Sequence, residues 1–95
     1  MTKEIVLDTL SKVEHPAIRY SLIKLGILTD VELIDNTVKV VFAFPFPKIP
    51  ITELLINSVL QPVQNLGLEF DYTIRVMTQE ERTRFLQLEN EAWKG

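Results

Sequence analysis

The 95-residue chain contains no cysteine, a single histidine and only three glycines. Without a thiol it cannot form a disulfide, a catalytic thiolate, a zinc finger or a cysteine-held metal cluster within one chain. The glycines, Gly26, Gly67 and Gly95, form no phosphate-binding loop, because none precedes a Lys-Ser or Lys-Thr pair. The sequence therefore has no nucleotide-hydrolysing loop of its own.

An excess of basic residues is also lacking. The chain has 10 Lys and Arg against 13 Asp and Glu, with a net charge of −3 and a pI of about 5.1. Nucleic-acid and membrane-surface binding both need clustered basic side chains, and here these are scattered. No apolar run approaches the ~20 residues that span a bilayer, and the N-terminus does not read as a signal peptide. We expect a cytoplasmic protein.

What is present is the composition of one globular domain, with 46% hydrophobic and 24% charged residues. Apolar residues recur at helical spacing in four segments and alternate in three others. Asp35-Asn36 between two alternating segments is a hairpin turn signal. Thr78 and Glu81 have the spacing of a capping box at a helix start. The pattern predicts helices over 3–14, 17–25, 51–65 and 78–93, and strands over 27–34, 38–44 and 69–77.

The element order α-α-β-β-α-β-α predicts an α+β fold. We expect a two-layer sandwich in which a small three-stranded sheet carries helices on one face. Residues 1–77 form this domain, and residues 78–95 are a C-terminal helical extension of the same single domain. The predicted core contains Val6, Leu10, Val40, Phe42, Leu55, Val59, Phe70, Tyr72 and Ile74.

The single histidine, His15, is the one side chain that could serve as a general base or metal ligand. It has no cysteine or second histidine to share a metal with. The alternative is a structural role as a polar residue at a helix end, where the helix dipole stabilises a protonated imidazole. The pattern favours this structural interpretation.

The segment 45–50 is unusual because three prolines stand in six residues between a strand and a helix. Prolines stiffen such a loop because they fix φ and donate no hydrogen bond. It is either a recognition loop, with Phe46 and Ile49 as apolar anchors beside Lys48 and Pro50, or a rigid connector whose apolar residues pack inward.

The C-terminal helix carries a narrow apolar stripe of Phe85, Leu88 and Trp93. The stripe is too sparse for a core helix and too apolar to lie freely in water. It is either a homodimer contact or a surface that packs against the protein's own sheet.

Over residues 4–77 the chain resembles the PaaD/SufT-like iron–sulfur cluster assembly domain, which is also the N-terminal domain of Mrp-type cluster-carrier ATPases. The resemblance rests on Val13-Glu14-His15-Pro16-Ala17, where the family has Val-x-Asp-Pro-Glu, and on Leu25-Gly26 at the family's spacing. The family's loop after the second strand ends in Cys-Pro, and here Ile49-Pro50 stands at that place. The threonine usual four residues earlier is Pro45.

The resemblance implies an accessory role in iron–sulfur cluster assembly. Because the family's cysteine, its suspected metal or cluster residue, is missing here, we expect a non-enzymatic protein that acts through protein contacts and has no resident metal or cofactor. Its partner would be an Mrp-type ATPase or another assembly protein, and we expect His15, Phe46, Lys48, Ile49 and Pro50 to bind it. An interaction or dimerisation module of the same fold that has lost the metal-related role is the alternative. A small hydrolase or ligand binder would depend on His15 alone.

Overall fold

The computed structural model describes residues 2–48 and 50–93. The elements are α1 (Lys3–Leu10), α2 (Leu22–Leu25), β1 (Leu28–Ile34), β2 (Thr37–Phe44), α3 (Thr52–Asn65), β3 (Glu69–Val76) and α4 (Gln79–Ala92). This is the predicted order and the predicted α+β class. Within the described residues, none of the helices has the length and apolar character needed to cross a bilayer.

The three strands form one mixed sheet in the order β1-β2-β3. β1 and β2 pair antiparallel through the predicted turn, where Asp35 adopts a left-handed φ of 54°. β2 and β3 pair in parallel along their full length, from Thr37 opposite Glu69 to Phe44 opposite Val76. Parallel neighbours need a crossover, and α3 supplies it.

The core lies between one face of β2 and the helices α1 and α3. Val38, Val40, Phe42 and Phe44 alternate along β2, and all four are buried. The ring of Phe42 stacks on that of Phe44 at 5.9 Å and meets the ring of Tyr72 edge-on at 5.7 Å. The other core positions predicted on the helices, Val6, Leu10, Leu55 and Val59, are also buried.

The predicted core positions of β3 are wrong in part. Phe70 is half-buried, but Tyr72 is 41% exposed and Ile74 is 51% exposed. β3 is an edge strand, and its apolar face extends beyond the cover that the helices give to β2. Alternation along a strand identifies its apolar face, but it does not show what covers that face.

The first two helices are shorter than predicted. α1 ends at Leu10 instead of residue 14, and α2 is a single turn beginning at Leu22. The segment between them pairs with itself: the His15 N–H donates to the Tyr20 carbonyl at 3.2 Å, and the Leu22 N–H donates to the Val13 carbonyl at 2.9 Å. Ser21 caps α2 through its hydroxyl, and Gly26 ends it with a φ of 80°.

A bulge in β1 departs from the predicted alternation. The register with β2 shifts between Thr29 and Glu32, and Asp30 adopts a φ of 51°. Leu28 and Val31 are therefore both buried, although strict alternation assigned them to opposite faces. A bulge that inserts one residue exchanges the faces of the residues that follow it.

The junction between β3 and α4 is held by a bidentate ion pair. The guanidinium of Arg75 donates to both Glu81 carboxylate oxygens, at 2.7 and 2.9 Å. Glu81 also accepts from the Thr78 N–H at 2.8 Å, which completes the predicted capping box. The Arg75 hydrogen bonds and then the Thr78 N–H lower the pKa of Glu81 from 4.5 to about 2.

Glu81 is expected to make stability fall with acidification. A carboxyl whose pKa is lower in the folded state stabilises the fold above the unfolded pKa of 4.5, and this contribution is lost as the pH falls towards about 2. In Glu81→Gln, urea unfolding measured between these pH values should show a weaker dependence on pH than in the parent. The amide can still accept from Thr78, so the cap remains as an internal control. Identical pH dependence in both proteins would contradict this account of the junction.

Candidate functional site

An open cavity of about 370 Å³ lies at the carboxyl end of β2. Ligand pockets commonly have volumes of about 300–1,000 Å³ and lie outside the carboxyl ends of parallel strands. Its walls come from the segment before α2, the link between α2 and β1, the loop after β2, the start of α3 and α4 from its middle onwards with the residue after it. They consist of His15, Ala17, Ile27, Pro45, Phe46, Lys48, Pro50, Ile51, Leu55, Phe85, Glu89 and Trp93.

Four of the five predicted site residues line this one cavity. His15 is separated in sequence from Phe46, Lys48 and Pro50, and the fold brings them together. The fifth, Ile49, lies outside the described residues. Phe46, Lys48 and Pro50 are neighbours in one loop, so only His15 is brought to the cavity by the fold. The role of these residues in binding stays a prediction.

His15 is buried in the cavity wall, with 7% of its surface exposed. Its Nδ1 accepts a hydrogen bond from the Ala17 N–H at 3.0 Å. An imidazole nitrogen that accepts a hydrogen bond carries no proton, so Nδ1 is unprotonated in this arrangement. This bond closes the tight loop around Pro16 and gives the histidine a structural role. The expected place at a helix end is wrong, because α1 ends at Leu10 and His15 lies in the segment between α1 and α2.

Arg82 of α4 holds the 45–50 loop. Its Nε donates to the Pro45 carbonyl at 2.8 Å, and its guanidinium carbon lies 5.7 Å from the centre of the Phe46 ring. Phe46 remains 49% exposed, while Lys48 and Pro50 are exposed at the cavity rim. Arg82 thus contacts the start of the loop at Pro45 and Phe46, while the side chains of Phe46, Lys48 and Pro50 are exposed.

α4 forms the wall that the sequence analysis did not assign to the site. Phe85 is buried, Glu89 is half-buried and Trp93 is 54% exposed, and all three line the cavity. The end of α4 is tied to the segment before α2, because the Arg19 N–H donates to the Ala92 carbonyl at 3.0 Å.

The apolar stripe of α4 is therefore not free. Phe85 packs into the protein's own core and Leu88 lies partly buried against it, so part of the stripe is covered within the chain, where α4 contacts α2. A homodimer through this helix would have to use Leu88 and Trp93, and it stays a prediction. The sequence did indicate this side of the cavity, because Phe85 and Trp93 stand eight residues apart in the predicted C-terminal helix.

The chemistry of the cavity is apolar with three polar groups. Among its described lining residues, only His15, Lys48 and Glu89 have ionisable side chains, and none carries a hydroxyl or thiol nucleophile. Over the described residues, no three His, Cys, Asp or Glu side chains are placed to hold a metal ion. The arrangement can bind an apolar group and orient it through one positive and one negative rim charge.

The chain belongs to the iron–sulfur cluster assembly protein family, whose model matches residues 3–76. The crystal structure of a domain of unknown function, DUF59, from Bacillus anthracis is similar in fold. Its TM-score is 0.64 and its identity is 16%, over 90% of each chain. No protein of the curated collection matches the chain. Family membership supports a role in iron–sulfur cluster assembly.

The side chains of this chain cannot by themselves hold an iron–sulfur cluster. Clusters are held by thiolates, in some cases with imidazoles, and the chain has no cysteine. The Nδ1 atom of its one histidine already accepts from Ala17. The chain by itself therefore offers no set of ligands for a cluster.

We expect the purified protein to hold no stable cluster. Anaerobic reconstitution with iron and sulfide, followed by desalting and visible absorption, should leave no stoichiometric chromophore. As a matched comparison, the Ile49→Cys variant restores the residue that the family resemblance places there. A stoichiometric, chelator-resistant chromophore in the parent would contradict the expectation.

Proposed function

We propose that this protein is a non-enzymatic accessory factor of iron–sulfur cluster assembly that binds a protein partner through the cavity at the carboxyl end of β2. The observation that supports the proposal most is the composition of this cavity. Its walls are mostly apolar, Arg82 contacts the start of the loop that forms one side, and the cavity is formed at positions where the family resemblance expects functional residues.

The location of the cavity agrees with the resemblance. His15 and Ala17 stand where the family has acids, and Pro50 follows the position of its cysteine. All three line the same cavity. These positions line the cavity as the resemblance implies, but the family's carboxylates and thiolate are absent from them. This favours binding of a protein partner over ligation of a metal.

A catalytic role has little support in the cavity. Nucleophilic catalysis needs a nucleophile within hydrogen-bond reach of a base, and the described lining residues offer no hydroxyl or thiol beside His15. The histidine nitrogen that accepts a hydrogen bond is engaged by the backbone of Ala17. These features favour a binding surface.

The partner that fits is a protein segment with a large apolar side chain and a nearby carboxylate. The apolar side chain would enter between Phe46 and Trp93, both about half exposed. The carboxylate would meet Lys48 at the rim. A loop stiffened by prolines loses little conformational entropy on docking, so more of the contact energy contributes to affinity.

Capture of partners from a native extract of the source cells tests the proposal. The tagged chain should retain proteins of iron–sulfur cluster assembly, identified by mass spectrometry, in preference to a tagged unrelated domain. Retention of no assembly or cluster-containing protein would contradict it. Retention of proteins from an unrelated process would instead favour the second candidate, an interaction module that kept the fold and lost the role.

A further inference from the structure

The outer edge of the sheet at β3 is regular and unprotected. β3 runs for eight residues, pairs with β2 without a register shift, and ends the strand order of the described sheet. An edge strand presents unpaired N–H and C=O groups that can pair with another strand. Its sequence, Glu69 to Val76, contains no proline or lysine to discourage such pairing.

The opposite edge of the sheet, at β1, is protected against pairing with a further strand. β1 carries a bulge at Asp30 and exposes the acidic side chains of Asp30 and Glu32. Bulges and charges are the usual devices by which edge strands avoid pairing. β3 has no bulge, and its charged side chains, Glu69, Asp71 and Arg75, lie on the face opposite its exposed apolar residues.

That apolar face is also only partly covered. Tyr72, Ile74 and Val76 are 41%, 51% and 42% exposed and lie on the same side of the strand. They continue the core face of β2, because Phe42 lies opposite Ile74 and Phe44 opposite Val76 in the parallel register. A further strand beside β3 would extend the same apolar layer.

The charges on the other face of β3 indicate which strand fits. Glu69 and Asp71 stand in its first half, and Arg75 stands in its second half on the same face. If β3 of a second copy pairs with it in antiparallel orientation, the acidic half of each strand lies against the basic half of the other. The two-fold axis makes this contact occur twice. Opposite charges on paired strands stabilise a sheet and like charges destabilise it.

Arg75 can take part although it already binds Glu81. Its two terminal nitrogens contact that carboxylate, but a guanidinium has five N–H donors and can contact a second carboxylate. The side chain is 38% exposed and is held in place at the end of the strand.

We propose that β3 is a homodimer interface in which two copies of this chain pair antiparallel around a two-fold axis at Thr73. In this register Asp71 lies opposite Arg75 of the second copy, and Tyr72 lies opposite Ile74. The dimer has one continuous sheet of six strands, twice the three of one chain. The cavity at the carboxyl end of β2 takes no part in this contact.

Sedimentation velocity tests the interface. The parent should sediment as a dimer of twice 11.0 kDa at concentrations up to about 100 μM, well above the dissociation constants of most specific interfaces. Ile74→Lys places a charge in the contact and should give a monomer. Ile34→Lys, at a 47% exposed position on β1, is the matched control and should leave the dimer intact. A monomeric parent, or a dimer unaffected by Ile74→Lys, would overturn the proposal.

A disulfide tests the register without disturbing the apolar face. The parent has no cysteine, so in Thr73→Cys the new thiol can pair only with that of a second copy. Residues opposite each other on antiparallel strands have Cα atoms about 4.5–5.5 Å apart, which is within reach of a disulfide. Mild oxidation should cross-link Thr73→Cys almost fully and the exposed α4 control Gln87→Cys only slowly. Equal rates for the two variants would refute the register.

Discussion

Replacing Phe42 with alanine is expected to lower the free energy of unfolding by about 3–5 kcal/mol. Phe42 is completely buried, and its ring contacts those of Phe44, Phe70 and Tyr72 at centroid distances of 5.9, 6.4 and 5.7 Å. Removing it leaves a cavity between β2 and the helices. Such a loss is a large part of the ~5–15 kcal/mol by which a domain is stable.

Urea unfolding followed by circular dichroism measures this effect, and Ile34→Ala is the comparison. Ile34 is a strand residue of the same sheet, but it is 47% exposed and lies on β1, away from the β3 edge. Its truncation should cost less than about 1.5 kcal/mol, because much of the side chain already contacts water. A loss below about 1 kcal/mol for Phe42→Ala would show that the face of β2 is inverted.

The double variant Phe46→Ala, Lys48→Glu is expected to reduce partner capture at least about tenfold. Truncation of an aromatic anchor at an interface centre commonly costs 2 kcal/mol or more, and about 1.4 kcal/mol corresponds to a factor of ten. The lysine reversal adds repulsion towards a partner carboxylate. Both positions are exposed, so the circular dichroism spectrum should remain that of the parent.

A control variant separates this effect from a general change of surface. Ile5→Ala, Lys3→Glu makes the same kinds of change on α1, where Ile5 is 48% exposed and Lys3 is exposed. It should capture the same partners as the parent, as measured by quantitative mass spectrometry. If the cavity variant is folded and captures partners as well as this control does, the 45–50 loop is only a connector.

The fold could be predicted from the sequence where burial is complete or a turn is chemically specified. The alternation of Val38, Val40 and Phe42 matched a fully covered strand, and Asp35-Asn36 matched the hairpin. The bulge at Asp30 could not be predicted, since the apolar pattern on either side fits a regular strand equally well. Tyr72 and Ile74 were misplaced because alternation does not reveal that a strand lies at an edge.

The candidate site was predicted in part for a related reason. His15 and the 45–50 loop were singled out by residue type and by family position, and the structure places them around one cavity. The wall from α4 was missed because the stripe of Phe85 and Trp93 fits either a partner surface or the protein's own core. Only the path of the chain, fixed by contacts such as Arg82 to Pro45, decides between them.

The most direct test of the central claim is the activity of cluster-dependent enzymes in cells that lack this gene and receive it back in three forms. The account predicts that the parent and the Ile5→Ala, Lys3→Glu control restore these activities. The Phe46→Ala, Lys48→Glu variant should not restore them, although it is present at the same level. Full restoration by that variant, or unchanged enzyme activities in cells without the gene, would contradict the account.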